Sequence, residues 1–129
     1  SKPNLEVETA AWPERLAEAD FLVFACPLTP QTTGMFSSDT LAYLKPGVRL
    51  VNVSRGPVIN ENALITALQQ GVVHSAALDV FEVEPLPEQS PLRGFEKCSF
   101  CTHNGSNSAD AVRRVSRLAI RKISEYLHD

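Results

Sequence analysis

The chain has 129 residues, 43% of them hydrophobic and 21% charged, with a net charge of −3. That apolar fraction suffices for the core of one domain and excludes both a disordered acidic tail and a collagen-like repeat. Mild acidity gives no long-range attraction to nucleic acid or anionic lipid, so any anion-binding site must be local.

The first element with a clear signal is Phe21-Leu-Val-Phe-Ala-Cys26, a strand that is apolar without alternation, as expected of a parallel strand covered on both faces. Leu5 to Val7 reads as a shorter strand or an extended lead-in before it. Trp12-Pro13 opens a short helix, with Pro13 at the first helical position, where its missing N–H costs nothing. Ser37 or Ser38 caps a second helix that must stop at Lys45-Pro46-Gly47. The second strand is Arg49 to Ser54. Asn60 then caps a third helix, whose Ala63, Leu64, Ala67 and Leu68 form one stripe before Gly71 stops it. A third strand covers Val72 to Val80. Pro85, Pro87 and Pro91 make Phe81 to Glu96 an irregular loop. The fourth strand, Cys98 to Thr102, precedes a final helix from about Ser108 to Leu127. That helix places Val112, Val115, Ala119, Ile123 and Tyr126 on one face and Arg113, Arg117 and Arg121 on another.

Strands alternating with crossover connections imply an open, mostly parallel α/β sheet. Phe21 to Cys26 is the longest unbroken apolar stretch, far short of the roughly 20 residues that span a bilayer, and the first residues carry no signal-peptide core. No membrane partner is expected. Three cysteines, an odd number without a secretory context, point to a reducing, cytoplasmic compartment. Cys98 and Cys101 form a CxxC, but a structural zinc needs a second ligand pair. No metal site is expected, and buried strand cysteines are the default reading. The arginine stripe of the last helix reads as a solvated face in preference to a nucleic-acid surface.

Ligands of open α/β sheets bind beyond the carboxyl ends of the strands. The residues there are Cys26-Pro-Leu-Thr29, Ser54-Arg55-Gly56, Asp79 with Glu84 following, and His103-Asn-Gly105. A cation, two carboxylates and an imidazole therefore converge on one edge. Each alone has an ordinary structural explanation; four together at strand ends point to chemistry.

At these residues the chain resembles the NAD-dependent D-2-hydroxyacid dehydrogenases. The resemblance rests on Asn52-Val-Ser-Arg-Gly-Pro-Val-Ile-Asn60, on Ala76-Ala-Leu-Asp-Val-Phe-Glu-Val-Glu-Pro85, on Thr102-His-Asn-Gly-Ser106 and on Cys26-Pro-Leu-Thr-Pro-Gln-Thr-Thr-Gly34. It implies a partial Rossmann-like, doubly wound parallel sheet, the second half of an NAD-binding domain. It also implies a reaction: hydride passes between NAD(P)(H) and a small D-2-hydroxy acid or 2-oxo acid. Carried over motif by motif, Arg55 binds the substrate carboxylate and polarises its carbonyl, His103 is the acid/base, and Glu84 pairs with His103. Such chemistry needs a proton donor and a fixed cation where negative charge grows on oxygen. Cys26, Pro27, Leu28, Thr33, Val53, Ser54, Arg55, Asp79, His103 and Gly105 are the implied cofactor contacts, with Asp79 on the nicotinamide carboxamide. The sequence departs from the family pattern at Pro57, Asn60, Thr102 and Asn104, which leaves the three catalytic candidates in place.

The six glycines contain no G-x-G pair, so the pyrophosphate cradle of a dinucleotide site is missing. Residues 1–129 are therefore expected to be the C-terminal part of an NAD-binding domain cut from a longer enzyme, lacking its Gly-rich half and its substrate domain, and inactive alone. NAD and NADP are not distinguished by the residues present. The first strand should then have an unpaired edge, and self-association as a homodimer is expected. A regulatory, corepressor-type module of the same fold is the alternative from a different class.

Overall fold

The computed structural model describes residues 7–128. Four parallel strands form one sheet in the order β1-β2-β3-β4: β1 Phe21–Phe24, β2 Val48–Asn52, β3 Val73–Leu78 and β4 Ser99–Phe100. Two α-helices, α1 Glu61–Gln69 and α2 Ala109–His128, follow β2 and β4. The expected lead-in strand at Leu5 to Val7 lies outside the described residues except for Val7, which is not in a strand.

The ends of the other elements follow the local chemistry. Asn60 caps α1, its Oδ1 accepting from the Ala63 amide at 2.9 Å. Ser37 begins a 3-10 helix, Ser38–Tyr43, where a longer helix was expected, with Thr40 closing a reciprocal cap. The Pro13 expectation is corrected. Pro13 sits in a turn ahead of a 3-10 helix, Leu16–Glu18, so it does not occupy the first helical position. Within the irregular loop 81–96, Pro91–Gly94 forms one 3-10 turn.

Each step from β1 to β4 moves in the same direction across the sheet, and right-handed crossovers then stack every connection on one face. The register shows which face. Leu22, Leu50 and Ala76 form one row, and Phe24, Asn52, Leu78 and Phe100 form the next. They pack with Ala63, Leu64 and Ala67 of α1, and with Phe36, Val58 and Leu92, into the core. The alternate rows, Phe21 beside Arg49 and Val23 beside Val51, look the other way. Phe21 and Val23 are 61% and 57% exposed. The apolar run of β1 was expected to be covered on both faces. Among the described residues only one face is covered, and β1 has no strand on its outer side.

α2 has the expected amphipathic pattern, and its apolar residues are exposed. Val115, Ile120, Ile123 and Tyr126 are all more than half exposed. Arg113, Arg114, Arg117 and Arg121 line an open groove with Asp110. No helix among the described residues is long and apolar enough to cross a membrane.

Candidate active site

Backbone pairing continues past the strand ends. The Val53 amide donates to the Phe24 carbonyl, Asp79 to Asn52, Cys101 to Leu78, and His103 to Asp79, at 2.8 to 3.1 Å. The segments beginning at residues 53, 79 and 101 therefore leave the sheet side by side, at its carboxyl edge.

Arg55 is delivered by a turn built on Asn52, a fully buried polar side chain at the end of β2. Asn52 Oδ1 accepts from the Ser54 amide at 3.0 Å and from its hydroxyl at 2.8 Å, while Nδ2 donates to the Arg55 carbonyl at 3.1 Å. A buried amide is tolerable only when satisfied in this way, so the turn has one shape. The Arg55 guanidinium donates to the Ser54 carbonyl at 2.6 Å and is otherwise exposed. Gly56 follows directly, and a Cβ there would lie 1.8 Å from the Phe81 carbonyl oxygen. Only glycine lets the Arg55 turn rest against the backbone that leads to Glu84.

His103 is set by Asp79. His103 has φ +56°, the left-handed region that is strained for a side chain of its size. Three hydrogen bonds hold it there. The His103 amide donates to the Asp79 carbonyl at 2.8 Å, the Asn104 amide to Oδ1 at 3.0 Å, and the Gly105 amide to Oδ2 at 2.8 Å. A Cβ at Gly105 would stand 2.8 Å from Asp79 Oδ2, so glycine permits this approach.

Glu84 joins the two turns. Its Oε2 accepts from His103 Nδ1 at 2.8 Å, and its Oε1 accepts from the Phe81 amide at 3.0 Å. The His103 hydrogen bond is the main reason the Glu84 carboxyl is held below the usual glutamate range. The Phe81 amide adds to it, slight desolvation opposes it, and the positive charges of His103 and Arg55 contribute last. With Nδ1–H donating to the carboxylate, an assignment made from the hydrogen-bond network, Nε2 is the nitrogen left for an incoming group. The pair is partly exposed, with His103 at 42% and Glu84 at 35%. It therefore orients the imidazole more than it stabilises the fold.

Cys26, Pro27 and Leu28 meet Val53, Ser54 and Arg55 around an open hollow of about 500 Å³ at the ends of β1 and β2. Leu28 and Val53 expose large apolar side chains there. Thr33 is not brought in: it is exposed, and its hydroxyl donates to the Thr29 carbonyl at 2.8 Å within a local turn. The cysteine reading is corrected in part. β4 ends at Phe100, so Cys101 is exposed, whereas Cys98 is partly buried and burial pushes its thiol pKa up. Among the described residues no group of three or more His, Cys, Asp or Glu could hold a metal ion.

Sequence reasoning missed Asn52 and Gly56 as builders of the site. A lone amide ending an apolar strand and a glycine beside the arginine are the signals that mark them.

Residues 1–105 match the family described as D-isomer specific 2-hydroxyacid dehydrogenase, NAD binding domain. The chain belongs to this family. Glyoxylate/hydroxypyruvate reductase B of Yersinia pestis (strain Pestoides F) is 45% identical over 105 residues, which are 81% of this chain and 32% of that protein. A solved D-isomer specific 2-hydroxyacid dehydrogenase from Xanthobacter autotrophicus Py2, in complex with NADPH and MES, is 46% identical with a TM-score of 0.66. That match covers 68% of this chain and 29% of the other. The D-mandelate dehydrogenase of Rhodotorula graminis gives a TM-score of 0.77 at 33% identity, over 84% and 31%. The chain thus spans about a third of the length of the curated relatives it matches. These relatives are reductases and dehydrogenases, which favours the enzyme over the regulatory module. Their likeness also establishes the α/β architecture as Rossmann-like.

Proposed function

We propose that this chain carries the reaction centre of an NAD(P)-dependent D-2-hydroxyacid dehydrogenase that reduces a small 2-oxo acid of the glyoxylate or hydroxypyruvate type. The observation that carries the reading is the Glu84 carboxylate, bonded to His103 and within the field of Arg55. Arg55 binds the substrate carboxylate and draws electron density toward the carbonyl oxygen. His103 Nε2 delivers the proton that this oxygen takes up during reduction, and recovers it in the reverse direction. Glu84 holds the ring through Nδ1, which turns Nε2 toward the incoming group. Asp79 fixes the His103 turn, and its remaining lone pairs are free to meet the carboxamide of a nicotinamide.

The residues present fit the nicotinamide end of the cofactor. The hollow at Cys26, Pro27, Leu28, Val53, Ser54 and Arg55 offers apolar walls beside the cation, and Gly105 keeps the backbone close to Asp79. Bound NAD(P)H supplies the hydride. A glycine-rich pyrophosphate turn does not occur in residues 1–129. We therefore read the chain as the C-terminal part of the NAD-binding domain, with the Gly-rich half and the substrate domain belonging to a longer polypeptide. The coverage of about a third of the relatives supports this. The edge position of β1, with Phe21 and Val23 exposed, supports self-association as a homodimer, and three free cysteines fit a reducing, cytoplasmic setting.

The test has two stages. NADH titrated into the chain should shift the amide resonances of residues 26, 28, 53–55, 79 and 105, and shifts confined to α2 would contradict the cofactor site. In a polypeptide joining this chain to a Gly-rich half and a substrate domain, NADH oxidation with glyoxylate should fall by a factor of about 100 or more for His103→Asn. Undiminished turnover would remove His103 from the mechanism.

A further inference from the structure

Two glutamates outside the catalytic set exchange hydrogen bonds across 21 residues of sequence. The Glu82 amide donates to Glu61 Oε1 at 2.7 Å, and the Glu61 amide donates to Glu82 Oε1 at 2.9 Å. Two carboxylates side by side repel, and Glu61 is pushed above the usual glutamate range, mainly by burial and then by the Glu82 charge, with the Glu82 amide opposing. The N-terminus of α1, where Glu61 is the first helical residue, offsets part of that cost. Capping alone does not require the arrangement, because Asn60 already caps the helix.

The position of the pair explains it. Glu82 lies two residues before Glu84, and Glu61 closes the segment that begins with Arg55 and Gly56. Gly56 already presses against the Phe81 carbonyl, and the Phe81 amide binds Glu84 Oε1. We propose that Glu61, paired with Glu82, is a positioning residue that locks the Glu84 loop to the Arg55 segment, so that the Glu84 carboxylate is held at His103. The inference rests on the dehydrogenase reading for its catalytic meaning, while the geometry it claims can be tested without any cofactor.

The carboxyl groups of the 129-residue chain and of its Glu61→Ala, Glu61→Gln and Glu82→Ala variants are titrated by NMR, and amide exchange is followed at Phe81, Leu50 and Ala76. In Glu61→Ala and Glu82→Ala the Glu84 titration should move up toward the ordinary glutamate value. Phe81 exchange should rise by about tenfold relative to Leu50 and Ala76, as expected for a local hydrogen-bonded opening. Glu61→Gln keeps a carbonyl oxygen for the Glu82 amide and should behave as the parent chain. A Glu84 titration unchanged in the folded alanine variants overturns the proposal, as does exchange that rises equally at all three amides. Should Glu61→Ala fail to fold, Glu82→Ala, at an exposed side chain, decides alone. Failure of NADH to bind would count against the dehydrogenase reading and would leave this result standing.

Discussion

The turn that presents Arg55 and the turn that presents His103 are made by the same device and supported in opposite ways. Each follows a parallel strand, and each is shaped by a buried polar side chain that gathers neighbouring backbone groups: Asn52 for the first, Asp79 for the second. The Arg55 turn leaves a central strand, flanked by β1 and β3, and Gly56 anchors it against the Phe81 backbone. The His103 turn leaves a two-residue edge strand, and residues 101–110 are exposed throughout. The cation is thus built into the core's rim, while the imidazole hangs from the sheet by Asp79 and Glu84. A buried polar side chain thus fixes a turn equally at the rim of the core and out in solvent, and what differs is how much packed backbone supports it.

The largest effect expected from disturbing this contrast is at Gly56. A methyl group there meets backbone at 1.8 Å, where no side chain can yield. Gly56→Ala should cost about 4 kcal/mol or more, in the range reserved for severe overpacking, and chemical denaturation would measure it. Retention of parental stability would mean that the two segments are not in contact.

Asn52→Ala comes next. It leaves the Ser54 amide, the Ser54 hydroxyl and the Arg55 carbonyl to find new partners beside a buried position. A loss of about 2 to 3 kcal/mol follows from unmade buried hydrogen bonds, again read by denaturation. Asp79→Ala should cost less globally, and should act mainly by raising amide exchange at His103, Asn104 and Gly105.

The Glu84 and His103 pair gives a smaller, pH-dependent effect with a definite sign. The folded carboxyl pKa lies below its unfolded value of 4.5. Its contribution is therefore fully present above that pH and disappears as pH falls through the folded pKa. Thermal melts between pH 6 and 3 should show a steeper fall for the parent than for Glu84→Gln. Identical slopes would mean that the bond to His103 is not kept in solution. The least effect is expected on α2, where Ile120→Ser or Val115→Ser should change stability by no more than about 0.5 kcal/mol because neither side chain is buried. A cost several times larger would show that α2 packs against something in solution.

These contrasts separate what was legible in the sequence from what was not. β1, β2, β3 and α1 were readable because apolar runs of strand length, Asn60 and the stripe from Ala63 to Leu68 are local signals. Arg55, Glu84 and His103 were legible as a set because strand ends in a parallel sheet share one edge. Where the Thr33 hydroxyl goes was not legible, because a motif specifies neighbours in sequence, whereas the turn at Thr29 decides its direction. Cys101 was misjudged because strand β4 is only two residues long, a limit set by its pairing with Ala77 and Leu78 and invisible in its own composition.

The sequence by itself determined the parallel α/β pattern, the identity of the charged groups at the strand ends and the amphipathic form of α2, since each depends on residues close along the chain. Only the tertiary structure decided that one face of the sheet is packed and the other open, that Asp79 builds the His103 turn, and that Gly56, Phe81, Glu61 and Glu82 bind the loops together. Those facts depend on the direction in which successive crossovers turn and on contacts between segments more than 20 residues apart, where no local preference reaches.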